Sequence, residues 1–81
     1  NYKSEVVNKD IQMCCMILNR AEPAEEALNA VRLKLQMHRN DLHKADKKNL
    51  KFIVGRLQDL QSRGFQFDSS LDILQKGATL P

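Results

Sequence analysis

The sequence is poor in the residues that interrupt helices or favour sheets. Its 81 residues include only three glycines, two prolines, three phenylalanines, one tyrosine and no tryptophan. Glycine and proline are the strongest helix breakers, and aromatic side chains are enriched in strands. Their scarcity therefore favours helices over a sheet.

Cysteine is scarce as well, and the two cysteines present, Cys14 and Cys15, are adjacent. Neighbouring cysteines rarely form a disulfide with each other, and the chain has no third cysteine. This excludes a disulfide framework and favours an intracellular location, cytoplasmic or nuclear. Structural zinc sites space their cysteines by about two to four residues, so this pair with His38 and His43 predicts no metal site. We expect Cys14 to be a small core side chain and Cys15 to be partly buried.

Long apolar runs are missing too. No stretch approaches the roughly 18 apolar residues of a membrane span, and no signal-peptide pattern opens the chain. The first residue is not methionine, so we expect residues 1–81 to be a single domain taken from a longer protein. A chain of this length buries only about 60% of its unfolded surface, so its core is thin.

Motifs that carry catalytic chemistry are not found. There is no glycine-rich phosphate loop, no carboxylate cluster and no serine on a strand-to-helix turn. Cys14 and His38 could form a nucleophile–base pair only with a third, orienting group and a cleft, which the sequence does not indicate. We expect no catalytic residue, no cofactor and no enzymatic activity.

The most regular pattern that is present lies between Asp46 and Gly64. Asp46 predicts an N-cap, and Gly64 predicts the left-handed residue that ends a helix. Apolar residues between them form one stripe at helical spacing: Leu50, Ile53, Val54, Leu57 and Leu60. Phe52 lies on the opposite face, so either a C-terminal segment covers it, with Gly55 allowing close approach, or it anchors an external ligand.

Two further helices are predicted before this one. The first runs from a cap at Ser4 to about Arg20 and has an apolar arc of roughly 200°, wider than one core-facing stripe. The second has Pro23 in its first turn and ends near Asn40. Its main stripe is Ala24, Leu28, Val31 and Leu35, and a smaller stripe on another face is Ala30, Leu33 and Met37.

After Gly64, a short fourth helix is predicted from about Ser69 to Lys76. Ser69 and Asp72 resemble a capping box, Gly77 would end the helix, and Leu71 and Leu74 would face inward. Ala78–Pro81 is predicted to be a tail. The fold class is therefore all-α: a small antiparallel up-and-down bundle of three long helices and a short C-terminal fourth.

Positive charge is concentrated in one segment. The net charge is +3, but residues 32–56 contain eight basic residues and only Asp41 and Asp46 as acids. Such a segment is typical of a solvated helix face, of a surface that contacts acidic protein segments, or of one that contacts nucleic acid or anionic lipid.

The excess of apolar faces over what a thin core needs predicts a non-enzymatic protein-interaction module. It would bind an amphipathic helix or a short acidic peptide in an apolar groove with a basic rim. The candidate partner-binding residues are Leu33, Met37, Lys48, Lys51, Phe52 and Arg56. The rival hypotheses are a basic module for nucleic acid or anionic membrane, and a structural segment that packs on the rest of its own chain. Self-association is a further hypothesis for the extra apolar faces.

Overall fold

The computed structural model describes residues 1–77, and every regular element in this range is helical. The elements are α1 (Tyr2–Leu18), α2 (Glu25–Met37), a 3-10 turn (Leu42–Lys44), α3 (Lys47–Ser62), α4 (Asp68–Asp72) and a π-helical turn (Ile73–Gly77) that continues α4. This confirms the all-α fold with three long helices and a short fourth. The predicted tail, Ala78–Pro81, lies outside the described residues.

Polar contacts along α1 show how the helices run. Lys3 lies near Asp41 and Asp10 near Lys34, so α1 and α2 are antiparallel. Other contacts join Asn8 to Asp46 and Leu18 to Arg56, so α1 and α3 are parallel neighbours. The direction of the chain therefore alternates from α1 to α2 to α3.

The C-terminal segment closes the other side of the bundle. The Phe67 amide donates a hydrogen bond to Gln61 Oε1 at 2.8 Å, which holds the start of α4 beside the end of α3. From there α4 packs against α2 and α3, and the π-helical turn reaches the 3-10 turn. The segment therefore runs antiparallel to α3.

The core contains one stripe from each long helix. The stripe predicted for α3 is confirmed, because all five of its residues are buried. From α1 only Val7, Ile11, Cys14 and Leu18 are fully buried, although its apolar arc is much wider. Leu71 and Leu74 face inward as predicted. Ala24, which was predicted to belong to the main stripe of α2, is exposed.

Helix caps are partly as predicted. Asp46 accepts a hydrogen bond from the Lys48 amide at 2.9 Å, and Gly64 has a φ of 106°, so both ends of α3 are confirmed. The predicted Ser4 cap is wrong, because the cap is Asn1, whose Oδ1 accepts from the Ser4 amide at 2.9 Å. The helix thus begins earlier than the apolar pattern, and it ends at Leu18 rather than near Arg20.

The predicted starts of α2 and α4 are also displaced. Pro23 is buried but precedes the N-cap of α2, Ala24, and the helix ends at Met37 rather than near Asn40. The capping box at Ser69 is wrong, because α4 begins at Asp68 with Phe67 as its N-cap and no side chain caps it. The buried Phe67 ring fixes this end by packing instead.

Candidate interaction groove between the first and third helices

An open groove lies between the parallel helices α1 and α3. It has a volume of about 370 Å³ and is lined by Cys15 and Met16 of α1, by Asn19, the C-cap of that helix, and by Lys48, Asn49 and Phe52 of α3. Met16 is 73% exposed and Phe52 is 42% exposed. Two large apolar side chains therefore stand at its edges instead of in the core.

Helical periodicity explains why these two side chains are left outside. On α1, Met16 lies about 180° from Val7 and Leu18 lies near Val7, because each residue turns the helix by about 100°. On α3, Phe52 points away from the buried stripe for the same reason. Two alternatives were open for Phe52, and among the described residues its groove neighbours come from the end of α1 and the start of α3 and not from the C-terminal segment. A Cβ placed on Gly55 would meet nothing within 4 Å, so none of residues 1–77 packs closely there.

Asn8 fixes one end of the α1–α3 pair. Its Nδ2 donates to Ser4 O at 2.9 Å and to Lys44 O at 3.1 Å, and its Oδ1 accepts from the Asp46 amide at 3.0 Å. One side chain of α1 thereby holds the residue that caps α3. We call this set of contacts the Asn8 clamp.

Arg56 fixes the other end. Its Nε donates to Leu18 O at 2.7 Å, and its Nη2 donates to Arg20 O at 2.7 Å and Ala21 O at 3.2 Å. Its Nη1 donates to Asp59 at 2.7 Å. A cation at the carbonyl end of a helix is favourably placed. Arg56 was predicted to lie on the rim of the groove, and its guanidinium is bound to carbonyls at the end of α1; we call this set of contacts the Arg56 clamp.

Three lysines stand at the beginning of α3 with no acidic partner. Lys47, Lys48 and Lys51 form no ion pair with any residue of the range 1–77. A helix N-terminus carries a partial positive charge, which disfavours cations in the first turn, where Lys47 and Lys48 lie; the Asp46 carboxylate caps the same end. Positive charge without an ion-pair partner in the described residues therefore lies beside the groove.

The remaining predicted site residues, Leu33 and Met37, lie elsewhere. Both are on the outer face of α2 and are 67% exposed. Leu33 borders a wider, more polar groove of about 720 Å³ between α2 and α4, whose lining includes Arg32 and Asp68. The six predicted residues thus divide into three places: the α1–α3 groove region, the outer face of α2, and the Arg56 clamp.

A polar cluster that is not predicted from the sequence joins α1 to α2. It contains Asp10, Lys34 and His38. Asp10 accepts from Lys34 Nζ at 3.2 Å and lies 2.7 Å from His38 Nε2, and His38 is buried. The hydrogen bond with His38 lowers the pKa of Asp10, burial opposes this, and Lys34 lowers it further. Two signals were available: an acid inside the apolar arc of α1, and a histidine beside the core stripe of α2.

The cysteine thiols are shielded. Cys14 is fully buried, and burial raises its pKa to about 12. Cys15 is half-buried, its Sγ donates to Asn49 O at 3.7 Å, and burial also raises its pKa. Thiols held in the neutral form are weak nucleophiles and poor metal ligands. Within residues 1–77, no three histidine, cysteine or carboxylate side chains are grouped so that they could hold a metal ion.

Comparison with known proteins adds no relative. No protein-family model, curated sequence or solved structure matches this chain significantly. Among the described helices, none combines the length and the apolar character needed to cross a bilayer.

Proposed function

We propose that the chain is a non-enzymatic protein-interaction module that binds an acidic amphipathic helix in the α1–α3 groove. The observation that carries this proposal is the placement of exposed Met16 and Phe52 next to Lys48, a lysine without an acidic partner in the described chain. Helices dock in such grooves through apolar residues one turn apart, while neighbouring charges select the partner.

The size and chemistry of the groove favour a helix, which inserts a few side chains, over a ligand with a wider contact surface. About 370 Å³ is at the small end of ligand sites and accommodates a few side chains at a time. Methionine adapts its shape to different ligands, and a partly exposed aromatic ring can serve as an anchor. Lys47 and Lys51 extend the positive field of Lys48 along the first turns of α3. The partly buried, neutral thiol of Cys15 at the groove suits a reducing intracellular setting, cytoplasmic or nuclear.

The rival ligand class is a phosphate-bearing polymer or surface, such as nucleic acid or an anionic membrane. The start of α3 favours it, because lysines and free helix amides both attract phosphate. A duplex or an anionic membrane would bind the lysines and make few contacts with Met16 or Phe52, whereas unpaired bases can stack on the Phe52 ring. Dependence of binding on Met16 together with Phe52 therefore favours the helical partner.

The experiment titrates the chain into a fluorescein-labelled peptide of about 18 residues, long enough to form a helix on binding. The peptide carries leucines on one face and glutamates on the others. We expect saturable binding, measured by fluorescence anisotropy, with NMR shift changes centred on Met16 and Phe52. Phe52→Ala should weaken binding by roughly 5- to 30-fold, the effect of losing a central anchor.

Two controls make the result specific. A peptide with the same composition but dispersed leucines should bind far more weakly, and Gln58→Ala, at an exposed position of α3 outside the groove, should not change the affinity. If dispersing the leucines makes no difference and binding falls steeply with salt, the site is a general anion site. If neither peptide binds, the proposal is contradicted. The hypothesis that the groove packs on another part of the same polypeptide is then favoured.

A further inference from the structure

A second uncovered apolar surface runs along α2. Glu26, Ala30, Leu33 and Met37 follow one another at intervals of four, three and four residues, which places them on a single helix face. Glu26, Leu33 and Met37 are exposed and Ala30 is half-buried. We call these four residues the α2 outer stripe. These alternating intervals are those of the a and d positions, the residues through which the helices of a coiled coil pack on each other.

The charged residues next to this stripe differ in whether they have an ion-pair partner. Glu25 pairs with Arg32 at 2.9 Å, and Lys34 pairs with Asp10 at 3.2 Å, so these charges already have partners within the same copy. Glu26 forms no ion pair with any residue that the structure describes. The stripe is therefore an apolar helix face with an unpaired acid in the first turn of α2.

We propose that the occupant of the α1–α3 groove is the α2 outer stripe of a second copy of this chain. The inference rests on the proposed function, because it uses the same groove and names its partner. Leu33 and Met37 supply apolar side chains to contact Met16 and Phe52, and Glu26 supplies an acid for the unpaired Lys48. Both surfaces belong to this chain, so no ligand outside it is needed.

The contact joins two different surfaces of the chain. One copy cannot fill its own groove, because the stripe points away from the bundle on a different helix. Each copy offers one groove and one stripe, so copies associate either reciprocally, as a two-fold dimer with two equal contacts, or head-to-tail in rings or open chains. One helix face in one shallow groove is a small interface, so association should be weak and concentration-dependent.

The test is sedimentation velocity over a wide range of protein concentration. We expect the average mass of the wild type to rise with concentration, while Phe52→Glu and Leu33→Glu each remain monomeric. Mixing these two variants should form a one-to-one complex, because one retains an intact stripe and the other an intact groove. Gln58→Glu, which adds the same charge outside both surfaces, should associate like the wild type.

Charge exchange provides an independent measurement. Lys48→Glu and Glu26→Lys should each weaken association by about tenfold, and mixing them should restore it, because opposite charges then meet at both contacts. Circular dichroism and melting of every variant establish that it is folded. Met16→Glu replaces Phe52→Glu, and Met37→Glu replaces Leu33→Glu, if either variant is unfolded.

The outcomes separate this inference from the proposed function. A wild type that stays monomeric at every concentration but binds the leucine–glutamate peptide overturns the second-copy inference and leaves the groove as a site for another protein. Association that survives Leu33→Glu, or variants that do not complement each other, also overturns it. A chain that neither associates nor binds the peptide contradicts both.

Discussion

The carboxylate of Asp10 is held from α2 through both of its oxygens. Oδ2 lies 2.7 Å from His38 Nε2, and Oδ1 lies 3.2 Å from Lys34 Nζ. An ionised carboxylate can only accept hydrogen bonds, so Nε2 of His38 carries the hydrogen in this contact. The α1–α2 interface is thus apolar at its core and joined by charge at its edge.

Stability should fall in acid because of this cluster. The pKa of Asp10 is lowered below 3.8 by its hydrogen bond with His38, so the unfolded state takes up a proton more readily than the folded state. The contribution of Asp10 is therefore complete above about pH 4 and is lost as the pH falls through the lowered value. Asp10→Asn should cost about 1–3 kcal/mol near neutral pH, the worth of hydrogen bonds to a charged group. Urea unfolding measures it.

Comparing the wild type with Asp10→Asn at several pH values provides the control for this prediction. The difference in unfolding free energy between wild type and Asp10→Asn should shrink in acid, because the wild type then loses the same charge. An unchanged difference in strong acid would show that Asp10 stabilises the fold by shape alone.

Arg56 should be hard to replace even by lysine. Its guanidinium donates to the last carbonyl of α1, to two carbonyls just beyond that helix and to Asp59, a geometry that a single ammonium group cannot reproduce. Arg56→Lys should cost about 1–3 kcal/mol in thermal or urea unfolding. Arg63→Lys is the matched control: Arg63 is exposed and lies 3.6 Å from the same carboxylate, so its effect should be within about 0.5 kcal/mol. Equal effects at both positions would contradict the role of the Arg56 clamp.

Leu57 lies at the centre of the α3 stripe and is fully buried. Leu57→Ala should lower the free energy of unfolding by about 2–5 kcal/mol through lost burial and a residual cavity. Leu33→Ala removes the same atoms from an exposed position and should change stability by less than about 0.5 kcal/mol. The urea midpoints of the two variants measure the difference, and similar midpoints would refute the assignment of inner and outer faces.

The two cysteines should differ in reactivity. Cys14 is buried with a pKa raised to about 12, so almost no thiolate exists at neutral pH, whereas half-buried Cys15 can be reached from solvent. Timed alkylation followed by mass spectrometry should modify Cys15 slowly and Cys14 only when urea unfolds the chain. Rapid modification of Cys14 in the native protein would contradict its burial.

The features predicted correctly from the sequence are those decided within one helix. The α3 stripe and its ends at Asp46 and Gly64 need only local spacing and cap chemistry. Ser4 was a plausible cap, but the start of α1 is set by Asn1, a residue outside the apolar pattern. Pro23 is suited to a first helical turn, yet it packs just before α2.

The features that the sequence left open depend on how the helices are rotated against each other. Leu33 and Phe52 were both candidate partner-binding residues, and the positions of the helices around the bundle place them on separate surfaces. Arg56 was predicted to lie beside Phe52 because the two share a face of α3. Its long side chain instead reaches the end of α1, which no spacing rule within α3 reveals.

The Asn8 and Arg56 clamps have a consequence for binding kinetics. They fix α1 to α3 at both ends of the groove, so its two walls cannot slide or separate without breaking part-buried or charge-assisted hydrogen bonds. The width of the groove is therefore already set before a ligand docks, and docking costs the protein little conformational entropy. Binding should appear as one concentration-dependent phase in stopped-flow traces, and loosening the Asn8 clamp with Asn8→Ala should add a slow second phase as the walls re-form around the ligand.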